Sequence, residues 1–334
     1  MGHFRRRQFL VATSTLLAAP LAWAQTGGRA RRVAYVNTTS PLAEITGPES
    51  SHPLFRAFVQ ELRARGWIEG QNLVLDRRSA EGRFERASAI FTEVAQSGAE
   101  VIFTNSAGFV KAAMKAAPAV PIVMIAQSPV EEGIVGSLAR PGGNVTGVTV
   151  DVGAALHAKR VELLKAMLPK ANRVALLTTQ VARSGALGVT AMHERARTLG
   201  IELFDAAWSN NTFDAAFKLI EAKRPDAVLV QRTSPHFARR AEIVSFMQRV
   251  RLPDLHGYRD ATEIGGLSSY GPDISDVFRK AAGYVDRILK GARPGDLPIE
   301  QPSKFELAIN LKTAKTLGIT IPQSILVRAD EVIQ

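Results

Sequence analysis

Between Arg31 and Arg232 the chain alternates short, nearly uninterrupted apolar runs with helical patterns, and it does so in two successive series. The first series is RRVAYVN (31–37), NLVLDRR (72–78), AEVIFTN (99–105), PIVMIAQ (121–127) and NVTGVTV (144–150); the second is NRVALLT (172–178), IELFDAA (201–207) and DAVLVQR (226–232). Strands that alternate apolar and polar residues bury one face, whereas continuous apolar strands separated by helices belong to parallel sheets covered on both faces. The intervening stretches predict helices near 51–66, 84–97, 108–117 and 133–139, then near 155–168, 184–199, 212–223 and 237–250. In the first of these, Ser51 and Pro53 open the helix, Phe55, Phe58, Val59 and Leu62 share one face, and Gly66 stops it. About 310 residues beyond the leader exceed what one hydrophobic core usually serves, so two α/β domains are expected. Ligands of open parallel sheets bind beyond the carboxyl ends of the strands. Two such sheets with those ends facing would enclose a cleft and work as a hinged solute receptor.

The first residues read MGHFRRRQFLVATSTLLAAPLAWAQ. Arg5–Arg7, an apolar stretch from Val11 to Leu21 too short to span a bilayer, and the small-x-small run Ala22-Trp23-Ala24 predict an export signal over residues 1–24. Arg6-Arg7-Gln8-Phe9-Leu10 matches the core of a twin-arginine signal, and an ordinary export signal with incidental arginines accounts for the same residues. The chain has no cysteine. That excludes disulfides, thiolate nucleophiles, Cys-ligated metal and the lipid-anchored cysteine of bacterial lipoproteins. A periplasmic protein without a lipid anchor is therefore expected. The formal net charge is +11. Its Lys and Arg residues are dispersed among acids, as in RVELLK (160–165), which reads as a solvated surface and not as a nucleic-acid stripe.

Motifs of chemistry are missing. No G-x-G-x-x-G or Walker sequence follows a strand, no G-x-S-x-G elbow occurs, and none of the six histidines stands at a zinc-binding spacing. Carboxylate pairs such as Glu131-Glu132 read as solvated loop. No cofactor or metal is expected, and an exported hydrolase is disfavoured. ARPGGNVTGVTV (139–150) offers glycines ahead of a strand, whereas a phosphate cradle follows one and opens a helix. Its Pro141-Gly142-Gly143 reads as a turn into the last strand of the first series, and its Asn144-Val145-Thr146 sequon as part of a surface turn.

GQN (70–72), AEGR (80–83), SLARPGGNVTG (137–147), KRVELLK (159–165), GGLSSYG (265–271) and KFELAINLKTAKTLGITIPQSILVRADEVI (304–333) stand in an order and spacing that resembles the ABC transporter substrate-binding proteins of the tryptophan/tyrosine-binding-like family. The resemblance implies a type I periplasmic-binding-protein fold: two Rossmann-like lobes with parallel sheets, joined by a hinge that the chain crosses three times. On this sequence lobe 1 would take 31–149 plus 272–298, and lobe 2 would take 150–262 plus 303–334. The crossings would fall near 150, 263–271 and 299–302. The implied partners are a small, amino-acid-like or carboxylate-bearing ligand and an inner-membrane permease, with the receptor a monomer. A ligand-sensing module presenting the same fold to a signalling receptor reads equally from these residues. A LacI-type regulator does not, because a signal sequence stands where its DNA-binding helices belong.

The fold implies that polar residues just after strand ends touch the ligand: Thr38, Thr39 and Ser40, then Ser106, then Gln127 and Ser128 from lobe 1, and Thr179, Ser234 and Tyr258 from lobe 2. Relatives commonly carry Asp-Pro-Val where this chain has Ser128-Pro129-Val130, and an Asn-Pro pair where it has Thr178-Thr179-Gln180. An aromatic amino acid therefore does not carry over as the ligand, and Glu263 is the remaining acid read as an ammonium partner or a structural cap.

Overall fold

A computed structural model describes residues 29–47, 50–150, 153–179, 187–208 and 212–334. The expected export signal, the residues that follow Val150 and the stretch that begins at Gln180 lie outside the described residues.

Two sheets organise the molecule. Strands β1 (Arg31–Asn37), β2 (Leu73–Ser79), β3 (Val101–Asn105), β4 (Ile122–Ala126) and β5 (Val145–Thr149) pair in parallel in the order β2-β1-β3-β4-β5. They alternate with α1 (Pro53–Ala64), α2 (Ala87–Gln96) and α3 (Ala107–Ala116). The second sheet holds β6 (Arg173–Thr179), β7 (Glu202–Trp208), β8 (Ala227–Val230), β9 (Asp254–His256), β10 (Ser268–Pro272), β11 (Phe305–Asn310) and β12 (Glu331–Ile333). Its order is β12-β11-β10-β9-β8-β6-β7, so β7-β6-β8-β9-β10 repeats the order of the first sheet. Only the β10–β11 pair runs antiparallel. Its helices are α4 (Gly153–Met167), α5 (Leu187–Thr198), α6 (Asp214–Lys223), α7 (Ser234–Ala238), α8 (Arg240–Val250) and α9 (Arg259–Glu263). Helix α10 (Ile274–Leu289) follows β10, while α11 (Leu311–Leu317) and α12 (Gln323–Leu326) lie between β11 and β12. The fold is thus α/β with two Rossmann-like lobes, as the sequence pattern implies.

Alternate residues of each strand serve opposite faces. Val33, Tyr35, Val101 and Phe103 face the core shared with α1 and α10, whereas Ala34, Val36 and Ile102 face the one shared with α2 and α3. Aromatic rings dominate the first core. Tyr35 stacks on Phe55 at 4.3 Å between ring centres, Phe58 on Phe103 at 4.5 Å, and Phe278 of α10 meets Phe103 edge-on at 5.5 Å. Helix α10 comes back to the first lobe from the far end of β10. Asp273 caps it by accepting from Asp276 N at 3.0 Å, and Asp286 accepts from Trp67 Nε1 at 2.8 Å. Residues 263–271, expected to carry the second crossing, instead hold the end of α9 and most of β10, which is paired on both sides; the chain leaves that sheet between Pro272 and Ile274.

Two helix expectations are corrected. The stretch near 133–139 is a series of turns, in which Ile134 N bonds Pro129 O at 2.8 Å and Gly133 takes φ +67°. The helix expected over 237–250 is two helices broken at Arg239, the first opened by Pro235 and capped by Thr233. The sequon is no free surface site: Asn144 Nδ2 donates to Val120 O at 2.8 Å, and Thr146 is fully buried. Gly142, whose N–H approaches Gly295 O at 3.3 Å, docks the turn before β5 on the strap that leads from α10 toward β11.

Gly147 sits mid-strand in β5 at φ +139°, where a Cβ would lie 2.6 Å from Met124 N and closer still to Met124 O. Both obstacles are backbone of the neighbouring strand and cannot rotate away. Gly147→Ala is expected to cost about 3 kcal/mol or more in urea unfolding, from strain and overpacking together. Acid is expected to destabilise the fold through two imidazoles. His52, which caps α1 by accepting from Phe55 N at 3.1 Å, is held down at about 4, chiefly by burial and then by the Arg240 charge. His236 is held down at about 3, again first by burial. The folded state resists protons that the unfolded chain accepts near its ordinary histidine value. This contribution is therefore complete above about pH 6.5 and is lost as pH falls toward 4 for His52 and 3 for His236. His52→Asn, which keeps a capping side chain, should flatten the dependence of unfolding free energy on pH between 6.5 and 4.

Candidate ligand-binding cleft

The carboxyl ends of β1, β3 and β4 in one lobe face those of β8 and β9 in the other across a cavity of about 240 Å³. Asn37 shapes the first wall. Its side-chain oxygen accepts from Thr39 N at 2.9 Å and Ser40 N at 2.7 Å, and its amide donates to Tyr35 Oη at 2.8 Å. This Asx-type turn places Thr38, Thr39 and Ser40 along the cavity. Ser106 shapes the next stretch. It has φ +73° and ψ 143°, a conformation costly for any residue with a Cβ, and it precedes α3 without a side-chain capping bond. Three buried atoms of this wall, Thr38 Oγ1, Asn105 Oδ1 and Ser106 Oγ, find no hydrogen-bond partner within the protein. Native interiors seldom leave such atoms unpaired except where a ligand or water meets them.

The opposing wall comes from Arg232 to Pro235, Phe237 and Tyr258. Phe237 meets Tyr258 edge-on at 5.1 Å and His52 of the first lobe at 5.7 Å. Burial raises the Tyr258 hydroxyl above its ordinary value, Arg232 opposing that shift. Leu54, Phe84, Ile125, Ile274 and Phe278 add apolar surface. Gln127 Nε2 reaches across to Arg232 O at 3.4 Å. Because His52 Nδ1 accepts from Phe55 N, its neutral ring keeps the proton on Nε2 and is a donor at this wall. Among the described residues, Glu132 and Arg232 are the only carboxylate and guanidinium lining the cavity. Burial, and secondarily Glu131, raises the Glu132 carboxyl while Lys111 opposes. The described residues contain no cluster of His, Asp and Glu that could hold a metal ion. Hydrogen-bonding groups on an apolar container can bind and orient a small molecule.

Seven of the ten residues named from the sequence line this cavity: Thr38, Thr39, Ser40, Ser106, Gln127, Ser234 and Tyr258. Ser128 lies one residue beyond, its carbonyl accepting from Glu132 N at 2.9 Å in a turn. Thr179 ends β6, which is separated from β9 by β8 in the sheet order, and is outside the lining. Glu263 faces a separate groove on the hinge side, where Arg259 Nε donates to it at 2.9 Å. Asn37, Asn105 and Arg232 were missed although each ends or directly follows a strand run. His52 is the cap of α1 and a wall of the cavity at once.

Residues 48–333 match the family model described as ABC transporter substrate binding protein. A tyrosine-binding protein of Clostridioides difficile (strain R20291) is 26% identical over 271 residues, covering 79% of this chain and 76% of that protein. Among solved structures, a conserved domain protein from Vibrio cholerae O1 biovar El Tor superposes with a TM-score of 0.80 at 24% identity, covering 91% of this chain and 100% of the other. An ABC domain from Streptococcus pneumoniae, solved in complex with L-Trp, gives a TM-score of 0.79 at 24% identity with the same coverage. The family is one of substrate-binding proteins, not of enzymes. With a two-lobed frame, a cleft built from facing strand ends and a family match over most of its length, the chain belongs to the ABC transporter substrate-binding proteins.

Proposed function

We propose that this protein is an exported solute receptor of an ABC importer, which captures a small amino-acid-like or carboxylate-bearing molecule between its lobes and delivers it to a membrane permease. The observation that carries the reading is the group of three buried, unpartnered polar atoms at the strand ends of the first lobe, set in an apolar container whose other wall belongs to the second lobe. The tyrosine-binding relative and the L-Trp complex support an amino-acid-like ligand. The pattern of residues 1–24 supports export to the periplasm, with the twin-arginine route favoured by Arg6-Arg7-Gln8-Phe9-Leu10. No helix among the described residues is long and apolar enough to cross a membrane. The receptor acts as a monomer. Its lobes are as the sequence divides them, with the second crossing placed after Pro272. Thr38, Thr39, Ser40, Ser106, Gln127, Ser234 and Tyr258 are its ligand contacts.

A solute that binds both walls favours the closed arrangement by its difference in affinity for the closed and open states. A thermal-shift screen of the protein against amino acids, organic acids and small aromatics is expected to yield a stabilising solute, worth about 2.7 kcal/mol at a hundred times its dissociation constant. The same solute should lower the radius of gyration in solution scattering. A tightly bound solute that leaves the scattering curve unchanged would sink the hinged-receptor reading. Ser106 supplies a sharper prediction, because its strained backbone and its unpartnered hydroxyl serve binding and not folding. Ser106→Gly should raise the unfolding free energy by about 1 kcal/mol while weakening binding of the hit from that screen.

A further inference from the structure

We propose that the cleft recognises an organic carboxylate, whose anionic end is set against Arg232 on the second lobe with Arg160 as a second cation beneath it. This rests on the solute-receptor reading above and adds the charge and the orientation of the solute.

Arg160, in α4, is only 1% exposed and Arg232, just beyond β8, only 5%. Guanidinium groups this deeply buried are ordinarily paired with an acid. Among the described residues neither forms an ion pair with a carboxylate. Arg160 Nη2 donates to Val230 O, at the end of β8, at 2.6 Å and to Leu255 O, within β9, at 3.1 Å, while its Nε and Nη1 find no partner within the protein. Arg232 Nη2 donates to Val150 O at 2.7 Å, and its guanidinium carbon lies 5.7 Å from the centre of the Tyr258 ring. A guanidinium has five N–H donors in a fixed fork, so Arg232 retains donors for the two oxygens of a carboxylate.

Among the described residues, no carboxylate discharges this pair of cations. Asp254, a buried acid on β9, is engaged by His256 Nε2 at 2.9 Å and by Leu267 N. Glu132 lines the same cavity from the first lobe but is exposed and forms no ion pair with Arg232. The two guanidinium groups feel each other: burial first, and then the Arg232 charge, pulls Arg160 down to about 9. A carboxylate docked on Arg232 relieves that repulsion and gives the second lobe its anchor. The remaining walls, with Leu54, Phe84, Phe237 and Phe278, then suit an apolar body. Arg160, bonded to carbonyls of the strands that lead to Arg232 and Tyr258, is a positioning residue for both.

Matched pairs of probes test the assignment on the intact protein: 3-phenylpropionate against 3-phenylpropionamide, and L-phenylalanine against L-phenylalaninamide, by isothermal titration calorimetry at low and high salt. Each acid should bind at least about tenfold tighter than its amide, since a charge-assisted pair is about twice as strong as a neutral one. That preference should shrink in Arg232→Gln, whose fold is checked by circular dichroism, and partly persist in Arg232→Lys. Amides that bind wild type as well as the acids overturn the carboxylate anchor and leave the receptor reading standing. A folded Arg232→Gln that keeps the acid preference overturns the role of Arg232. If no acid, no amide and no solute from the wider screen binds the wild type, the receptor reading falls together with this one.

Discussion

The packing of α10 on the aromatic core of the first lobe is the contact on which the arrangement depends. Phe278, Tyr284, Val285 and Ile288 complete a core that begins with Tyr35, Phe55 and Phe103, far earlier in the chain. Without that cover, one face of the five-stranded sheet would lie bare, and a parallel sheet needs both faces covered. To supply it the chain must leave the second sheet after Pro272, run along the first lobe and return before Phe305 to add β11. Two of the three crossings exist because of this one helix. Ion pairs brace them: Lys304 approaches Asp273 at 3.8 Å and Glu306 at 2.8 Å, and Arg279 approaches Asp273 at 3.3 Å. Exposed pairs of this kind contribute little energy singly. Their place, across the second and third crossings, makes them determinants of hinge geometry more than of stability.

Given two lobes tied in this way, the position of the cleft follows from strand polarity. Parallel strands put all their carboxyl ends on one edge, and both sheets turn that edge toward the other. Turns at those ends need side chains that bond the backbone locally, and the same side chains border the cavity. Asn37 does this in the first lobe and Thr233, which caps α7, does it in the second. Fold and recognition thus draw on the same short segments.

That coincidence explains how much could be read from the amino-acid sequence. Nearly uninterrupted apolar runs located eight strands, because burial on both faces leaves few polar residues inside the central ones, while the edge strands β2 and β7 admit charges. β9 escaped notice because it has three residues and no apolar run of its own. Polar residues after the strand ends gave seven of the lining residues, whereas Thr179 ends a strand that the cleft does not use and Glu263 ends α9 beside a separate groove. Choosing among ends requires the strand order in space, which β-strand periodicity does not encode. Arg160 was misread for a different reason. Within RVELLK its charge looks like part of a solvated helix face, yet the residue is inside, with β8 and β9 carbonyls as its partners. Neither spacing nor composition separates a buried cation from an exposed one.

Arg160 and Ser106 share an energetic character. A buried guanidinium with unpaired donors and a serine at φ +73° with an unpaired hydroxyl both cost stability in the isolated protein. A chain selected only to fold would carry an apolar residue at the first position and glycine at the second, since replacing buried charge by packed hydrocarbon is often neutral or favourable. Local rules of folding are broken in native proteins mainly where function requires it. Ser106 lines the cavity from the first lobe, and Arg160, behind the opposite wall, bonds carbonyls of the two strands that lead to Arg232 and Tyr258. Ser106 keeps an unused hydroxyl at one wall, and Arg160 keeps two unused nitrogens behind the other. On the proposed reading, a solute that meets Ser106 on one wall and Arg232 on the other ties the energy of binding to the closing of the hinge.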